Sequence, residues 1–118
     1  MLVLGAGLQG SACAYDLLQD PAVTEVRLAD IRINDLPGFL APYSGHRLIP
    51  TPLDVRDGDA VHALMRGSDA VMSALPYYFN YDMAVSAVDA GVHFCDLGGN
   101  TEIEFKQKTL HDRARADA

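Results

Sequence analysis

Basic residues are scarce in this sequence. Nine lysines and arginines stand against sixteen aspartates and glutamates among 118 residues, which gives a formal net charge of −7. The nine cations are scattered, so the chain presents no concentrated positive surface for the phosphates of DNA or RNA. We therefore expect no nucleic-acid partner.

Long apolar segments are absent as well. No stretch of about 18 apolar residues occurs, so no transmembrane helix is predicted. Met1 already belongs to the first apolar strand, and we therefore expect no signal peptide ahead of it. These features predict a cytoplasmic protein without a membrane partner.

Cysteine is limited to two residues, Cys13 and Cys95, and neither lies in a Cys-x-x-Cys pair or at zinc-ligand spacing. We expect reduced, largely buried thiols and no metal site. The four histidines are spread over different predicted elements, without a partner at catalytic spacing. The sequence therefore leaves the catalytic residues unassigned.

Signature motifs of three enzyme classes are also missing. Neither Gly-Lys-Ser nor Gly-Lys-Thr occurs, which excludes a P-loop phosphotransferase. The Tyr-x-x-x-Lys dyad of short-chain dehydrogenases does not occur in these residues. Methyltransferases that bind S-adenosylmethionine usually carry an acid just before the first glycine of their loop, and that position is Leu4 here.

A glycine motif opens the chain. An uncharged apolar run, residues 2–4, predicts a buried strand, and three glycines follow at Gly-x-Gly-x-x-Gly spacing. The first permits a tight turn, the second lets backbone approach a pyrophosphate, and the third lets the next helix pack close to the sheet. That helix directs unpaired N–H groups and its positive end at phosphate. The predicted contacts are Gly5, Gly7, Leu8, Gln9 and Gly10.

An acidic residue follows at the distance that a dinucleotide site requires. The predicted helix stops at Asp20-Pro21, and its apolar face comprises Leu8, Ala12, Tyr15 and Leu18. A second strand, residues 25–29, leads to Asp30, twenty positions after Gly10. A carboxylate there accepts hydrogen bonds from ribose hydroxyls. We therefore predict a dinucleotide-binding unit, with a purely structural helix turn as the alternative.

Asp30 also predicts which dinucleotide is bound. Its charge would repel the 2′-phosphate of NADP, because two like charges about 4 Å apart cost ~4 kcal/mol at an effective dielectric near 20, or roughly a thousandfold in affinity. Arg32, which follows Ile31, could instead receive that phosphate. We expect NAD as the cofactor, with NADP less favoured, and we place all three residues in the predicted site.

The segment after Asp30 is poor in helix-forming signals. Residues 31–45 contain two prolines and predict a loop or a short helix rather than a full crossover helix. A brief third strand is predicted over residues 46–49. Pro50 and Pro52 would prevent it from continuing as a central strand.

The second half of the chain alternates helices with apolar strands. Asp57 is predicted to cap a helix that ends at Gly67, and a further helix ends at Gly91. Thr101 and Glu104 lie at capping-box spacing and begin a last helix.

This alternation predicts an α/β fold. The expected architecture is a Rossmann-type, doubly wound parallel sheet of about five strands, with helices on both faces. Residues 1–118 would form one dinucleotide-binding domain. No sixth strand follows the last helix, so we expect a fragment, or one lobe, of a longer two-domain protein.

Open α/β sheets bind ligands beyond the carboxyl ends of their strands. Asp54, beside Val55, either hydrogen-bonds the adenine edge or caps the turn ahead of the next helix. The backbone after the fourth strand is predicted to line the nicotinamide side of the cleft, through Ala74, Leu75 and Pro76.

Two later stretches are candidates for the substrate side. An aromatic cluster opens the helix after the fourth strand and either packs internally or covers the nicotinamide. Paired glycines after the fifth strand either let backbone approach a ligand or form a tight turn that caps a helix. The candidates are Tyr77, Tyr78, Asn80, Asp96, Gly98, Gly99 and Asn100.

Together these motifs resemble the amino-terminal NAD(P)-binding domain of the saccharopine dehydrogenase family. The resemblance extends over nearly all of the chain and is closest to the lysine 6-dehydrogenases. The first motif is generic, whereas Leu-Pro-Tyr-Tyr and Cys-Asp-Leu-Gly-Gly-Asn are far more specific. The residues that carry it are 3–10, 29–31, 53–55, 74–80 and 93–101.

The resemblance implies an oxidoreductase that oxidises a CH–NH or CH–NH2 bond of an amino acid by hydride transfer to the nicotinamide. Family members carry a second, mixed α/β domain that binds substrate and usually mediates dimerisation. The full-length protein would then be a homodimer, and this chain alone would be inactive. A non-catalytic NAD-binding or regulatory module is the alternative.

Overall fold

Strand β1 (Leu2–Leu4) is the centre of the sheet because it is buried on both faces. All three of its side chains are fully buried. Leu2 and Leu4 pack into the core on one face, and Val3 packs into the core on the other. A strand covered on both sides needs an uninterrupted apolar run, and the first residues of the chain provide one.

The computed structural model describes residues 1–117 and contains one five-stranded sheet. Its order is β3-β2-β1-β4-β5, and every pairing is parallel. The chain therefore winds outward from β1 in both directions, which confirms the predicted doubly wound α/β fold. The remaining strands are β2 (Val26–Asp30), β3 (Leu48–Pro52), β4 (Ala70–Ser73) and β5 (His93–Asp96).

Helices cover both faces of this sheet, also as predicted. One layer holds the first helix and a short 3-10 helix, and the other layer holds the second and third helices. Among the helices of residues 1–117, none is both long enough and apolar enough to span a bilayer. The α-helices are α1 (Leu8–Leu18), α2 (Gly58–Arg66), α3 (Asn80–Ala90), α4 (Thr101–Lys108) and α5 (His111–Asp117), and the 3-10 helices are Gly38–Tyr43 and Tyr77–Phe79.

The buried face of α1 differs from the predicted one. Gly10, Ala14 and Leu18 turn inward at four-residue spacing, whereas Leu8 is 82% exposed and Tyr15 is 40% exposed. The prediction of an inward face through Leu8 and Tyr15 is therefore wrong. The glycine must face the sheet, and its position sets the rotation of the whole helix.

β3 (Leu48–Pro52) is an edge strand that runs through both prolines, so the predicted stop ahead of them is wrong. The N–H of Leu53 donates to the carbonyl of Asp30 at 3.0 Å. Because alternate N–H groups of a strand point the same way, the nitrogens of Pro50 and Pro52 face away from β2, where no ladder bond is lost. The prediction that this strand cannot be central is confirmed.

Two helix starts show how local side chains set the boundaries. The Asp57 carboxylate accepts the Ala60 N–H at 3.2 Å, which confirms the predicted cap of α2. At α4 the cap is Asn100, whose side chain accepts the Ile103 N–H at 3.1 Å. The cap predicted at Thr101 is therefore displaced by one residue, because the amide of Asn100 already satisfies the first turn.

Arg47 holds the end of α1 and the chain that follows it. Its guanidinium donates to the carbonyls of Leu18 and Asp20, each at 2.7 Å, and twice to the carbonyl of Val23, at 2.6 and 3.0 Å. The Leu18 carbonyl belongs to the last turn of α1, at the negative end of the helix dipole, where a cation is favoured. One side chain thus joins α1 to the start of β3.

Replacing this arginine tests its contribution to stability. We expect Arg47→Leu to lower the free energy of unfolding by about 2 kcal/mol, since three carbonyls lose a charged donor. Urea denaturation measures the change. Arg66→Leu is the control, because Arg66 is exposed and makes no side-chain hydrogen bond within residues 1–117; it should change the value by less than about 0.5 kcal/mol. Equal losses in the two variants would contradict the assigned role.

Candidate functional site

The turn after β1 lies between the ends of the two neighbouring strands, β2 and β4. The Gly5 N–H donates to the Ala29 carbonyl, and the Ala74 N–H donates to the Leu4 carbonyl, each at 2.8 Å. Gly5 has a φ of +97°, and a Cβ on it would lie 3.0 Å from the Ala74 carbonyl oxygen. Glycine is therefore required here both for its backbone conformation and for space.

Gly10 is the closest contact between α1 and the turn. A Cβ on this residue would lie 1.7 Å from the Gly5 carbonyl oxygen, so no larger residue fits without moving backbone. One residue further, the Ser11 hydroxyl donates to the Ala6 carbonyl at 3.0 Å. The helix consequently starts directly on the turn, as the glycine spacing predicts.

Gly7 is different, because a Cβ on it would have no neighbour within 4 Å. The residue precedes α1, and no side chain caps the helix there. The first helical bond runs from the Ser11 N–H to the Gly7 carbonyl at 2.9 Å, so the N–H groups of Leu8, Gln9 and Gly10 precede helical pairing. Open space thus adjoins a row of donors at the positive end of a helix, an arrangement suited to a phosphate group.

Asp30 ends β2 beside this turn and is hydrogen-bonded to it. One carboxylate oxygen accepts the Ala6 N–H at 2.7 Å, and the other accepts the Arg32 N–H at 3.1 Å. An ionised carboxylate has about four acceptor positions, so two remain for ribose hydroxyls. Ala6 was not among the predicted site residues, because a backbone donor leaves no signal in side-chain identity.

Exposed apolar side chains flank the turn on the Asp30 side. Ile31 is 64% exposed and follows Asp30 directly, and the exposed Leu8 begins α1. The guanidinium of Arg32 is also exposed and makes no hydrogen bond or ion pair with any residue of 1–117. Both apolar side chains and the Arg32 guanidinium are therefore open to solvent and close in sequence to the glycine turn or to Asp30.

Asp54 forms a local ion pair after β3. Its oxygens accept from Arg56 Nε at 3.0 Å and from an Arg56 terminal nitrogen at 2.7 Å, and the Arg56 N–H donates as well, at 3.0 Å. These hydrogen bonds lower the pKa of Asp54 to about 2 and raise that of Arg56. Asp54 and the half-buried Val55 therefore lie in a self-contained turn ahead of α2, and an adenine contact remains a prediction.

Beyond β4, the turn of Ala74, Leu75 and Pro76 borders the glycine turn, through the contact of Gly5 with Ala74. The 3-10 helix that follows exposes aromatic rings. Tyr77 and Tyr78 stand edge to face at 5.7 Å, and Tyr78 is 60% exposed. Their rings are accessible to a ligand or a second domain, and they also pack against each other. Both predicted roles of the aromatic cluster therefore stay open.

A second glycine turn follows β5. Gly98 and Gly99 have φ values of +69° and +110°, so both occupy backbone conformations that favour glycine. Asp96 closes the turn: one of its oxygens accepts the Gly98 N–H at 2.7 Å and the other accepts Gln107 of α4 at 2.8 Å. The turn also leads into the Asn100 cap of α4. Backbone strain alone thus explains both glycines, and ligand contact remains a prediction.

Asn80, predicted on the substrate side, is buried instead. Its side chain is only 2% exposed, and the amide lies within hydrogen-bond distance of Ser73 and of the Gly98 carbonyl, each at 3.4 Å. We expected Asn80 near the cleft because it is the first residue of α3 and follows β4. Its side chain instead turns toward β4. A direct contact between Asn80 and a substrate is therefore excluded in this conformation.

Cys13 lies on α1 and Cys95 lies on β5, and a groove adjoins β5. Cys95 is exposed on β5, 3.3 Å from the sulfur of Met72, so its predicted burial is wrong, because β5 is an edge strand. Burial raises the pKa of the half-buried Cys13 thiol. A groove of about 1310 Å³ separates β5 and α3 from α4 and α5. No three His, Cys, Asp or Glu side chains are grouped for a metal ion within residues 1–117.

The structure thus brings most of the predicted residues to the end of the sheet where the carboxyl ends of the strands lie. The glycine turn and Asp30 meet on one side of β1, and the turns after β4 and β5 meet on the other. Ser73 and Gln107 also lie at this end of the sheet, and neither was among the predicted site residues. Ser73 could have been found from the sequence, because it is a polar residue at the end of an apolar strand. No sequence feature indicates Gln107.

Several solved structures are similar to this fold. Apo saccharopine dehydrogenase (L-Glu forming) from Saccharomyces cerevisiae matches with a TM-score of 0.74 and 23% identity, over 95% of this chain and 24% of that one. UDP-N-acetylglucosamine 3-dehydrogenase from Acidithiobacillus ferrooxidans gives 0.63 and 22%, over 95% and 35%. GenD2 from gentamicin A biosynthesis, in complex with NAD, gives 0.65 and 21%, over 95% and 31%.

At these identities the similarity establishes the fold, and the chain spans only a quarter to a third of each of those proteins. A family model extends the finding. The saccharopine dehydrogenase NADP binding domain matches residues 1–118, the entire chain. The resemblance noted in the sequence is thereby confirmed: this protein belongs to the saccharopine dehydrogenase family and comprises its dinucleotide-binding domain.

Proposed function

We propose that this chain binds NAD as the cofactor lobe of an amino-acid oxidoreductase. The observation that carries the proposal is the contrast among the three glycines: two are enclosed by backbone, and Gly7 alone faces open space at the start of α1. A packing requirement explains Gly5 and Gly10 but not Gly7. Access for a pyrophosphate group supplies the missing reason.

Charge on the Asp30 side supports NAD over NADP. A 2′-phosphate beside Asp30 would meet a fixed negative charge already anchored to the turn through the Ala6 N–H. Arg56, a second cation after β3, is exposed and pairs with Asp54, which offsets part of its charge. GenD2, of the same fold, was solved with NAD. The family description names NADP, and Arg32 has no partner within residues 1–117, so NADP is the competing cofactor.

The reaction proposed for the full-length protein is oxidation of a carbon–nitrogen bond of an amino acid, with lysine or saccharopine as the substrate class. The nicotinamide would accept the hydride, and this chain would hold and orient the cofactor. Support comes from the family assignment and from the exposed Tyr77 and Tyr78 at the cleft edge. We also propose a cytoplasmic homodimer, on the family resemblance alone.

Substitution at Gly7 tests the pyrophosphate site. We expect Gly7→Val to keep the melting temperature of the unmodified protein, since its side chain enters open space, and to abolish the NADH fluorescence enhancement. Gly58→Val is the matched control, because Gly58 also faces open space but begins α2; it should bind NADH normally. Gly10→Ala should fail to fold. Normal NADH binding by a folded Gly7→Val would show that the phosphate site lies elsewhere.

Asp30 tests cofactor choice. Calorimetry should show NADH binding at least about a hundredfold more tightly than NADPH, as expected for a like charge near the 2′-phosphate. Asp30→Asn retains a carbonyl oxygen for the Ala6 N–H but removes the charge, and it should bring the two affinities within about tenfold. Asp30→Ala should lower both affinities. Equal affinities in the unmodified protein would refute NAD preference, and tighter NADPH binding would assign the phosphate to Arg32.

The chain alone should show no dehydrogenase activity. Asp96 is committed to Gly98 and Gln107, and the family resemblance implies a second domain that binds the substrate, so we expect these residues alone not to hold a substrate against the nicotinamide. Lysine- or saccharopine-dependent NADH production is the assay, run beside the full-length protein. Turnover by residues 1–118 would contradict this expectation. Inactivity of both, with NADH still bound, would favour a regulatory module.

A further inference from the structure

Three hydrogen bonds connect the turn after β4 with the turn after β5. The Leu75 N–H donates to the Ser73 hydroxyl at 3.5 Å, and that hydroxyl donates to the Asn80 side-chain oxygen at 3.4 Å. The Asn80 amide nitrogen then donates to the Gly98 carbonyl at 3.4 Å. The Asn80 side chain accepts one of these hydrogen bonds through its oxygen and donates another through its nitrogen. It thereby joins two separate turns.

Both joined turns lie on the same half of the proposed cofactor cleft. In the proposed site the adenosine ribose lies at Asp30, on the β2 side of the glycine turn, so the other end of a dinucleotide would extend over β4 and β5. Leu75 and Gly98 stand at the carboxyl ends of those two strands. Their separation therefore sets the width of the cleft at its nicotinamide end.

Asn80 is too deeply buried to meet the cofactor itself. It is 2% exposed, and Ser73 is fully buried. A buried amide is stabilising only when its polar atoms are paired, and both partners here belong to elements that border the cleft. Within residues 1–117 this amide makes no hydrogen bond to α1 or to the glycine turn, so we expect its loss to affect the pyrophosphate site less than the turns after β4 and β5.

We propose that Asn80 is a positioning residue, which holds the turns after β4 and β5 at the spacing that receives the nicotinamide half of the dinucleotide. The inference rests on the proposed cofactor role and adds to it a division of labour within the cleft. In this proposal Asp30 and the glycine turn bind the adenosine half of the dinucleotide. The Ser73–Asn80–Gly98 hydrogen bonds only position the turns that receive the nicotinamide half. The two halves should consequently respond to separate substitutions.

The test compares NADH with ADP, which occupies the adenosine and pyrophosphate positions only. Asn80→Leu keeps the side-chain size and removes both hydrogen bonds. We expect its Kd for NADH to rise about tenfold while its Kd for ADP changes less than about twofold, since a tenfold change corresponds to about 1.4 kcal/mol. Ser73→Ala, a smaller change at a buried position, should shift the same ratio in the same direction if Asn80→Leu does not fold.

Ala87→Gly is the matched control on the same helix. Ala87 is buried in α3 but lies outside the hydrogen-bond chain, and glycine there destabilises the helix by about 1 kcal/mol. It should leave the NADH-to-ADP ratio unchanged. Equal weakening of both ligands in Asn80→Leu and Ser73→Ala, or an unmodified protein that binds NADH no better than ADP, would overturn the positioning role. Failure of the unmodified protein to bind either ligand would instead refute the cofactor proposal.

Discussion

The contact between Gly10 and the Gly5 carbonyl is the constraint on which the rest of the site depends. The carbonyl occupies the space of a Cβ on residue 10, so α1 lies closer to the sheet than any other residue would permit. That closeness rotates Leu8 outward and points the helix N-terminus at the open space above Gly7. A single steric requirement therefore fixes the helix position and its exposed face, and it directs the helix N-terminus at the open space where we propose that phosphate binds.

Features that depend on near neighbours could be predicted from the sequence. The cap at Asp57 joins residues three apart, and Gly91, with a φ of +71°, ends α3 by its own conformation. The burial of β1 also follows, because an uncharged apolar run such as residues 2–4 suits a strand buried on both sides. Asp30 belongs with these features, since its distance from the glycines is set by one helix and one strand.

Long-range packing accounts for what the sequence did not reveal. Arg47 reaches carbonyls more than twenty residues earlier, and nothing in its surroundings in the chain distinguishes it from a solvated arginine. The outward nitrogens of Pro50 and Pro52 become acceptable only once β3 is known to be an edge. Asn80 was predicted on the substrate side from its position after β4, but whether its amide faces solvent or β4 depends on the rotation of α3, which the sequence does not indicate.

Different kinds of hydrogen bond hold the two sides of the proposed cleft. On the Asp30 side, backbone groups of the glycine turn bond to a strand and to one carboxylate, so the geometry follows from the sheet itself. On the opposite side, β5 is an edge strand and its turn depends on side chains, with Asp96 reaching α4 and Asn80 reaching β4. Sheet hydrogen bonds are cooperative, whereas isolated side-chain bonds open at low cost. In the proposed cofactor assignment, the sheet would therefore hold the adenosine half of the cleft more firmly than the nicotinamide half, whose shape a substitution or a docked domain would alter more readily.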